Sequence, residues 1–425
     1  MIAWLLISFF VLLFLGVPIA MSLGLSAMGG ILFLGGGSTV TIAQRMFEGM
    51  NSFALLAIPL YTFAGFTMSK GGISKRLMDF CYSIVGHIYG GLAHVNVLSR
   101  MIFAGISGSA VADTAGVSGM FMPEMVRKGY SKNFTVAVTA ISSTIGIIIP
   151  PSIPMVVIAG ICGISTGKLF LGGIIPGILC GLAQMIVSYF MAKKEGVPKE
   201  PGHFTIGPVL HGLWESWPAL LMPIIIVGTI TMGIVSPTEA GVIAVVYGLF
   251  AGGIIYRELK WEDIKFAFAE TVRTSGRIFI VIGAAKLYTV MLTTAGFDKW
   301  VAKTMLGFST NPTVILIMIL LIFFIVTMFM ESIATLTLFM PILYPIALGV
   351  GIDPIVLSVL ITVVIGVGLV TPPVGMCIYV ACDLMDVTVG EVFPTLVPFI
   401  AATFVCIALM VAFPQLILLP TYLMA

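Results

Sequence analysis

Long runs without a charged side chain constrain this chain more than any other feature. Charged residues make up 9% of the 425 residues and hydrophobic residues 59%, whereas about 25% of an ordinary soluble domain is charged. A helix needs roughly 20 apolar residues to cross about 30 Å of hydrocarbon. Runs of that length or more cover residues 1–44, 133–167, 169–192, 216–238, 304–330 and 392–425. The sequence therefore predicts an all-α polytopic membrane protein with about ten to twelve transmembrane helices.

The remaining composition argues against several other classes of function. The net charge is +2 and the basic residues form no patch, so we expect no nucleic-acid partner. The six cysteines are scattered along the chain and the four histidines form no cluster with metal-ligand spacing. We therefore expect the cysteines to pack as small apolar side chains.

Two polar stretches organise the chain. Residues 193–218 carry an excess of lysine, which predicts a linker on the cytoplasmic side by the positive-inside rule. This linker would separate a first membrane repeat, residues 1–192, from a second, residues 219–425. In residues 257–277, apolar side chains recur every four positions among charged ones. That pattern favours a helix lying in the membrane interface, with a solvated loop as the alternative.

The two halves share a pattern of unusual residues. At an offset of 218, Asp113 aligns with Glu331, and a Phe-Met-Pro sequence follows in both halves. At an offset of 222 the alignment continues with Gly146 and Gly368, and with the double prolines Pro150-Pro151 and Pro372-Pro373. We interpret this as an internal repeat. Paired interrupted segments in two halves point to the binding site of a transporter.

The first interrupted segment predicts a re-entrant hairpin near residues 101–123. The small residues Ser107, Gly108 and Ser109 break an apolar stretch, and Asp113 follows one helical turn later. Irregular backbone at membrane depth is tolerated only where it is buried in protein or lines a cavity. A carboxylate in such a place is a functional candidate. The alternative is close helix packing, with Asp113 hydrogen-bonded for structural reasons.

The second interrupted segment predicts a broken helix near residues 146–154. Proline has no N–H, so Pro150 should leave the carbonyl of Gly146 without its helical partner. Free carbonyl oxygens suit a hard monovalent cation such as Na⁺. The helix that resumes near Ser152 offers N–H groups to an anion, which makes Ser152 a candidate substrate ligand.

The second half repeats both the re-entrant hairpin and the broken helix. A hairpin is predicted near residues 328–346, and a broken helix near residues 366–375. In the break, Pro372 should free the carbonyl of Gly368, and Thr371 adds a hydroxyl. A functionless kink is the alternative for either break.

Two cations and one serine need separate interpretation. Lys286 lies inside an apolar run and could balance an anionic substrate, or it could snorkel or pack structurally. Arg100 precedes the first hairpin, where an interfacial anchor is the simplest interpretation.

Gly105-Ile-Ser107-Gly108 also fits the nucleophile turn of a rhomboid-type intramembrane protease. That chemistry needs a base, usually a histidine on a later span, and no histidine follows His211.

Three sequence blocks resemble a known family. They are Ser-Gly-Ser-Ala-x-Ala-Asp at 107–113, Ile-Ile-Pro-Pro-Ser at 148–152, and Gly-x-Val-Thr-Pro-Pro-Val-Gly at 368–375. Together they resemble the large membrane (M) subunit of tripartite ATP-independent periplasmic (TRAP) transporters. The resemblance implies an elevator-type secondary transporter of the bacterial inner membrane, built from inverted repeats and coupled to Na⁺. It also implies a small four-helix membrane subunit (Q), a periplasmic substrate-binding protein (P), and an organic acid as substrate.

The resemblance also places the ion sites between hairpin tips and broken helices. The implied sodium ligands are Ser107, Gly108, Ser109, Asp113, Gly146, Glu331, Ser332, Gly366, Gly368 and Thr371. The candidate substrate ligands are Ser107, Ser152, Thr371 and Lys286.

The chain departs from the family pattern in two respects. Some members carry the Q subunit fused to the N-terminus, whereas this chain is expected to need a separate Q chain. An asparagine is expected shortly before Gly366, but Val363 and Val364 stand there, which leaves backbone oxygens as ligands. A C4-dicarboxylate and sialic acid both remain open as substrates, with a slight preference for sialic acid.

Overall fold

A computed structural model describes residues 1–35, 38–197 and 205–424. Within these ranges the chain consists of helices joined by turns and short irregular segments and contains no strand, which confirms the all-α prediction. The helices before the first hairpin are α1 (Ile2–Phe14), α2 (Ile19–Leu34), α3 (Thr39–Met50), α4 (Ala57–Lys70) and α5 (Ile73–Val85). The next five are α6 (Gly91–Ser107), α7 (Ala110–Arg127), α8 (Lys132–Ser143), α9 (Ile153–Cys162) and α10 (Thr166–Lys194).

The described part of the second half is also built from helices. Its first helices are α11 (Ile206–Thr231), α12 (Pro237–Phe250), α13 (Trp261–Thr294) and α14 (Phe297–Phe308). They are followed by α15 (Pro312–Thr327), α16 (Ser332–Gly349), α17 (Pro354–Gly368), α18 (Met376–Asp383), α19 (Val389–Ala412) and α20 (Gln415–Leu418). Short 3₁₀ turns lie at Phe53–Leu56, Thr144–Ile147 and Leu419–Met424, and a π-helical turn at Ala251–Ile255.

Cap residues explain where several of these helices begin. Ser131 accepts the N–H of Phe134 at 3.1 Å, and Asp353 accepts the N–H of Ile355 at 2.8 Å. Each side chain satisfies an N–H group that the first helical turn leaves without a partner. Pro354 at the first position of α17 has no such N–H to lose.

Helix boundaries show that α6–α10 and α15–α19 are structural repeats. Helices α7 and α16 both have 18 residues, and they begin and end at an offset of 222. Beyond them, Gly129 and Gly351 both adopt positive φ angles, 89° and 83°, and Ser131 and Asp353 both cap the next helix. The predicted break of α8 and the predicted break of α17 thus occupy equivalent places.

This register corrects the pairing of Asp113 with Glu331. Glu331 is the N-cap of α16, and the N-cap of α7 is Ser109. The counterpart of Asp113, in the first turn of α7, is therefore Thr335 in the first turn of α16. The Phe-Met-Pro match at an offset of 218 is one helical turn out of register.

The two repeats interlock around their breaks. Helix α9 packs on α16 while α18 packs on α7, and α8 packs on α19 while α10 packs on α17. Gly366 lies against its own repeat mate, Thr144, because a Cβ placed on Gly366 would be 3.2 Å from the Thr144 Cβ. The two breaks therefore lie next to each other in the fold.

Other helices surround this pair. Helices α1–α4 pack mainly on α12 and α13, and α5 packs on α11 and α6. Seven segments within the described ranges are long and apolar enough to cross a membrane, and five apolar helices of 10–17 residues accompany them. The ten to twelve predicted spans thus include segments that the structure divides into shorter helices.

Two predicted segments have different boundaries in the structure. The linker predicted at 193–218 is largely helical where it is described, because α10 extends to Lys194 and α11 begins at Ile206; residues 198–204 lie outside the described ranges. The interfacial helix predicted at 257–277 is the first part of α13, a single helix of 34 residues. At 1.5 Å per residue α13 is about 50 Å long, so its charged first part can extend beyond the hydrocarbon while its apolar part crosses it.

Candidate functional site

The tip of the first hairpin rests on the first helix break. Gly108 has φ 64° between α6 and α7, and its carbonyl accepts the N–H of Ile153, the first residue of α9, at 3.2 Å. A Cβ placed on Gly108 would lie 2.7 Å from the carbonyl oxygen of Pro151. The approach is therefore close enough to require glycine. The side chain of Ser107 lies outside the described part of the structure.

The first break leaves one carbonyl without a helical donor. The N–H groups of Ile148 and Ile149 both bond to the carbonyl of Ile145, at 2.9 and 3.0 Å. Neither donates to Gly146, and Pro150 has no N–H. The carbonyl of Gly146 is thus left without these donors, as the sequence predicts. The bond between the two prolines of the break is cis.

Ser152 closes the other end of the first break. Its hydroxyl donates to the carbonyl of Ile147 at 2.5 Å and accepts the N–H of Met155 at 3.3 Å. Pro151 has no N–H to donate to the carbonyl of Ile147, and the Ser152 hydroxyl takes that place. The Ser152 side chain is fully buried.

Asp113 connects the hairpin to the break. It lies in the first turn of α7 and is 2% exposed. A Cβ placed on Gly146 would overlap its Oδ2 atom. The next residue, Thr114, donates its hydroxyl to the Ser143 hydroxyl at 2.7 Å. The structure thus brings Asp113, Gly108, Ser109 and Gly146 together around one point in the first repeat.

The second hairpin tip also rests on its break. The N–H groups of Val374 and Gly375 donate to the carbonyl of Met328, at 3.0 and 3.4 Å. Gly375 is the repeat mate of Ile153. An equivalent backbone hydrogen bond therefore joins the hairpin tip to the helix break in each half. The second tip has a longer turn, because α15 ends at Thr327 and α16 begins at Ser332.

Glu331 uses its carboxylate to begin α16. Its Oε2 atom accepts the N–H groups of Ile333 and Ala334, at 2.9 and 3.3 Å. The Ser332 hydroxyl donates to Oε1 at 2.6 Å. A carboxylate offers about four lone pairs, so Glu331 retains some capacity for a cation after capping the helix.

The second break differs from the sequence prediction at one carbonyl. The N–H of Thr371 donates to the carbonyl of Gly368 at 3.1 Å, and the Thr371 hydroxyl donates to Val367 at 2.7 Å. The prediction that Pro372 leaves the carbonyl of Gly368 free is therefore wrong, because a donor three residues away replaces the missing one. A Cβ placed on Gly368 would lie 2.7 Å from the Cβ of Thr327, at the end of α15.

Lys286 is placed apart from the breaks. It lies on α13, where its Cβ and Cγ atoms pack against Gly49 of α3. The structure therefore assigns Lys286 to the contact between α3 and α13, which fits its packing interpretation better than a place beside Ser152 or Thr371.

Arg100 is a site residue that the sequence interpretation misjudged. It is fully buried, not interfacial. Its Nε atom donates to Asn96 at 3.0 Å and its Nη2 atom to Ser118 at 3.2 Å. Asn96 in turn donates to Thr139 of α8 at 2.8 Å. The spacing of Asn96 and Arg100, four residues apart on one helical face, could have indicated this network.

The available ligands at both breaks are oxygens. Within the described residues no three His, Cys, Asp or Glu side chains gather as they would around a transition metal. The breaks instead offer carbonyl and hydroxyl oxygens, with one carboxylate nearby in each half. Such a donor set suits a hard cation.

Comparison with known proteins identifies the family. The model of the DctM component of tripartite ATP-independent periplasmic transporters matches residues 6–416. The chain belongs to the DctM family.

Its DctM relatives cover nearly the whole chain. The sialic acid TRAP transporter large permease protein SiaM of Vibrio cholerae is 35% identical, with 96% of this chain and 95% of that protein aligned. The C4-dicarboxylate TRAP transporter large permease protein DctM of Pseudomonas aeruginosa is 35% identical, with 95% and 94% aligned. The isethionate TRAP transporter permease protein DctMQ of Oleidesulfovibrio alaskensis is 37% identical over 92% of this chain, which spans 62% of that protein's length.

Solved structures share the fold at low identity. The YdaH transporter of Alcanivorax borkumensis has a TM-score of 0.58 and 12% identity, with 89% of this chain and 88% of that chain covered. MtrF of Neisseria gonorrhoeae has a TM-score of 0.56 and 14% identity, with 88% and 84% covered.

Membership of the DctM family settles the broad class. This chain is an integral protein of the inner membrane and a permease component of a TRAP transporter. Its relatives are named as permeases, so the family gives no support to the protease interpretation of Ser107.

Proposed function

We propose that this chain is the large transmembrane subunit of a sodium-coupled transporter that imports a small organic acid. The observation that carries the proposal is the duplicated contact between hairpin tip and helix break. In each half a tip carbonyl, of Gly108 or Met328, accepts an N–H at the break. A scaffold protein would have no need to build this arrangement twice.

Sodium is the proposed coupling ion. The first half offers the carbonyl of Gly146 beside the carboxylate of Asp113. The second half offers Glu331, Ser332, Thr371 and the backbone at Gly366, whereas the carbonyl of Gly368 already accepts the N–H of Thr371. Two matched sites favour at least two ions in each cycle.

The substrate is proposed to be a small organic anion. The relatives are named for sialic acid, C4-dicarboxylate and isethionate, and all three carry an acidic group. Anions bind well at helix N-termini, and α9 and α18 both begin at a break. Thr371 is 8% exposed and Ser152 is fully buried, so Thr371 is the more accessible of the two candidate ligands in this conformation.

The transport cycle is proposed to be an elevator movement by two inverted repeats. Helices α7–α10 pack on α16–α20, and α6 packs on α8 and α10 as well as on α4 and α5. Helices α1–α4 pack mainly with α12 and α13. We expect the first group to move past the second with the ions and substrate. A separate Q subunit and a periplasmic binding protein complete the proposed transporter.

The experiment that tests this proposal is uptake into proteoliposomes containing this chain and its Q subunit. Radiolabelled organic acids are offered with and without the binding protein, in an inward gradient of Na⁺ or of K⁺. We expect uptake of one acid that requires both the binding protein and Na⁺. Robust uptake without the binding protein would contradict the tripartite assignment, and equal uptake in K⁺ would contradict sodium coupling.

A further inference from the structure

An apolar cavity of about 300 Å³ lies between α14 and the second hairpin. Five residues of α14 line one side of it, and residues of α15 and α16 line the other. Every lining residue except Thr304 is apolar. Voids larger than a water molecule are few in protein interiors, and apolar cavities stay free of water and take up apolar ligands. The cavity is therefore suited to an apolar ligand.

The equivalent helix of the first repeat is packed more tightly. Helices α5 and α14 both follow a glycine with positive φ, Gly72 at 78° and Gly296 at 81°, and both precede the first helix of a hairpin. At this offset of 224, the cavity-lining residues Phe297, Val301, Thr304 and Met305 correspond to Ile73, Leu77, Phe80 and Cys81. Helix α5 packs on α6 and α11, and all four of its residues are buried, whereas Met305 alone is buried in the α14 set. The same helix face is thus closed by protein in the first repeat and left open in the second.

Helix α14 has the character of a helix that lies in the membrane interface. Its 12 residues are too few to cross the hydrocarbon, which takes roughly 20, and it follows α13, which is long enough to cross. Trp300 is 60% exposed, and tryptophan is enriched at the boundary of a bilayer. Lys299 and Lys303 are both exposed, one helical turn apart, and Asp298 in the first turn is the only acidic residue of the helix. The cavity therefore lies beside a basic helix at the edge of the bilayer, where phospholipids are the abundant apolar molecules.

We propose that this cavity holds an acyl chain of an anionic phospholipid, whose phosphate group is bound by Lys299 and Lys303. The chain fills the space that protein fills beside α5 in the first repeat. The headgroup supplies the negative charge that exposed lysines attract at a membrane surface. Because α14 connects α13 to the second hairpin, the bound lipid holds this helix and the hairpin together. The inference does not depend on sodium coupling.

Lipid binding to the purified chain in mild detergent tests this inference. Phosphatidylglycerol or phosphatidylcholine is titrated, and bound lipids are counted by native mass spectrometry. We expect one phosphatidylglycerol to bind about tenfold more tightly than phosphatidylcholine, and to raise the melting temperature because a ligand of the folded state stabilises it. Lys299→Gln combined with Lys303→Gln should remove this preference. Lys193→Gln combined with Lys194→Gln, at exposed positions in the last turn of α10, is the control and should retain it.

A second variant fills the cavity without changing the charge of α14. Val301→Phe should weaken the binding of both lipids about tenfold or more, whereas Leu306→Phe, on the same helix but outside the lining residues, should bind like the wild type. The lysine variants carry the test if Val301→Phe does not fold. Equal affinity of the wild type for the two lipids, or unchanged binding in folded Val301→Phe, would overturn the inference. Displacement of the lipid by the Q subunit would assign the cavity to a protein partner and overturn it as well.

Discussion

Replacing Gly108 by alanine should abolish sodium-dependent uptake. The added Cβ would lie 2.7 Å from the carbonyl oxygen of Pro151 and 3.2 Å from the N–H nitrogen of Ile153. Both neighbours are backbone atoms, which cannot rotate away as a side chain can. The tip must therefore lift off the break and lose the bond between Ile153 and Gly108. The measurement is uptake at saturating Na⁺, normalised to reconstituted protein.

Gly163 supplies a matched control for this substitution. It ends α9 with φ 68°, close to the 64° of Gly108, so an alanine pays a similar backbone cost of roughly 1–2 kcal/mol at either position. No atom of the described residues lies within 4 Å of a Cβ placed on Gly163. Gly163→Ala should therefore lose some thermal stability but keep most of its uptake. Equal uptake by the two variants would contradict the proposed role of the tip contact.

Replacing Pro150 by alanine should raise the half-saturating Na⁺ concentration about tenfold or more, since a hydrogen bond involving a charged group is worth about 1.5–3 kcal/mol. The alanine N–H can donate to the carbonyl of Gly146, which then is no longer available to an ion. In a kink without function the same change would be neutral or stabilising, because alanine is the better helix former. Sodium titration of uptake in proteoliposomes measures the change.

Pro372→Ala is the informative comparison for this second prediction. The carbonyl of Gly368 already accepts the N–H of Thr371 at 3.1 Å. An N–H restored at position 372 would therefore weaken the binding of an ion in the second half less than an N–H at position 150 would in the first. We expect a clearly smaller effect than at Pro150. Unchanged sodium dependence in Pro150→Ala would contradict the use of the Gly146 carbonyl as a ligand, and equal large effects at both positions would contradict the asymmetry between the breaks.

Much of this arrangement could be predicted from sequence because it rests on local chemistry. Proline lacks an N–H wherever it stands, so the breaks at Pro150 and Pro372 were visible without a structure. The same argument is wrong at Gly368. Its carbonyl has no donor at Pro372, four residues later, but it accepts the N–H of Thr371, three residues later, as in a 3₁₀ turn. Sequence indicates which bond is lost but not which bond replaces it.

Register and distant partners were harder to predict. A helix presents nearly the same face after four residues, so the pairing of Asp113 with Glu331 fitted the apolar pattern although it is one turn wrong. Lys286 could not be placed because its neighbour, Gly49, is far away in sequence. The sequence alone favours an interfacial place for Arg100, because one of the side chains that accept its hydrogen bonds, Ser118, lies on α7 and only the folded hairpin brings it close.

Equilibrium binding of ²²Na⁺ to the purified chain tests the central claim most directly, because it needs neither substrate nor partner subunits. We predict saturable binding of about two ions to the wild type, in keeping with the two repeats, and loss of one of them in Gly108→Ala while Gly163→Ala binds both. Absence of saturable binding in the folded wild type, or an unchanged stoichiometry in Gly108→Ala, would contradict the assignment of sodium to the hairpin tips and helix breaks.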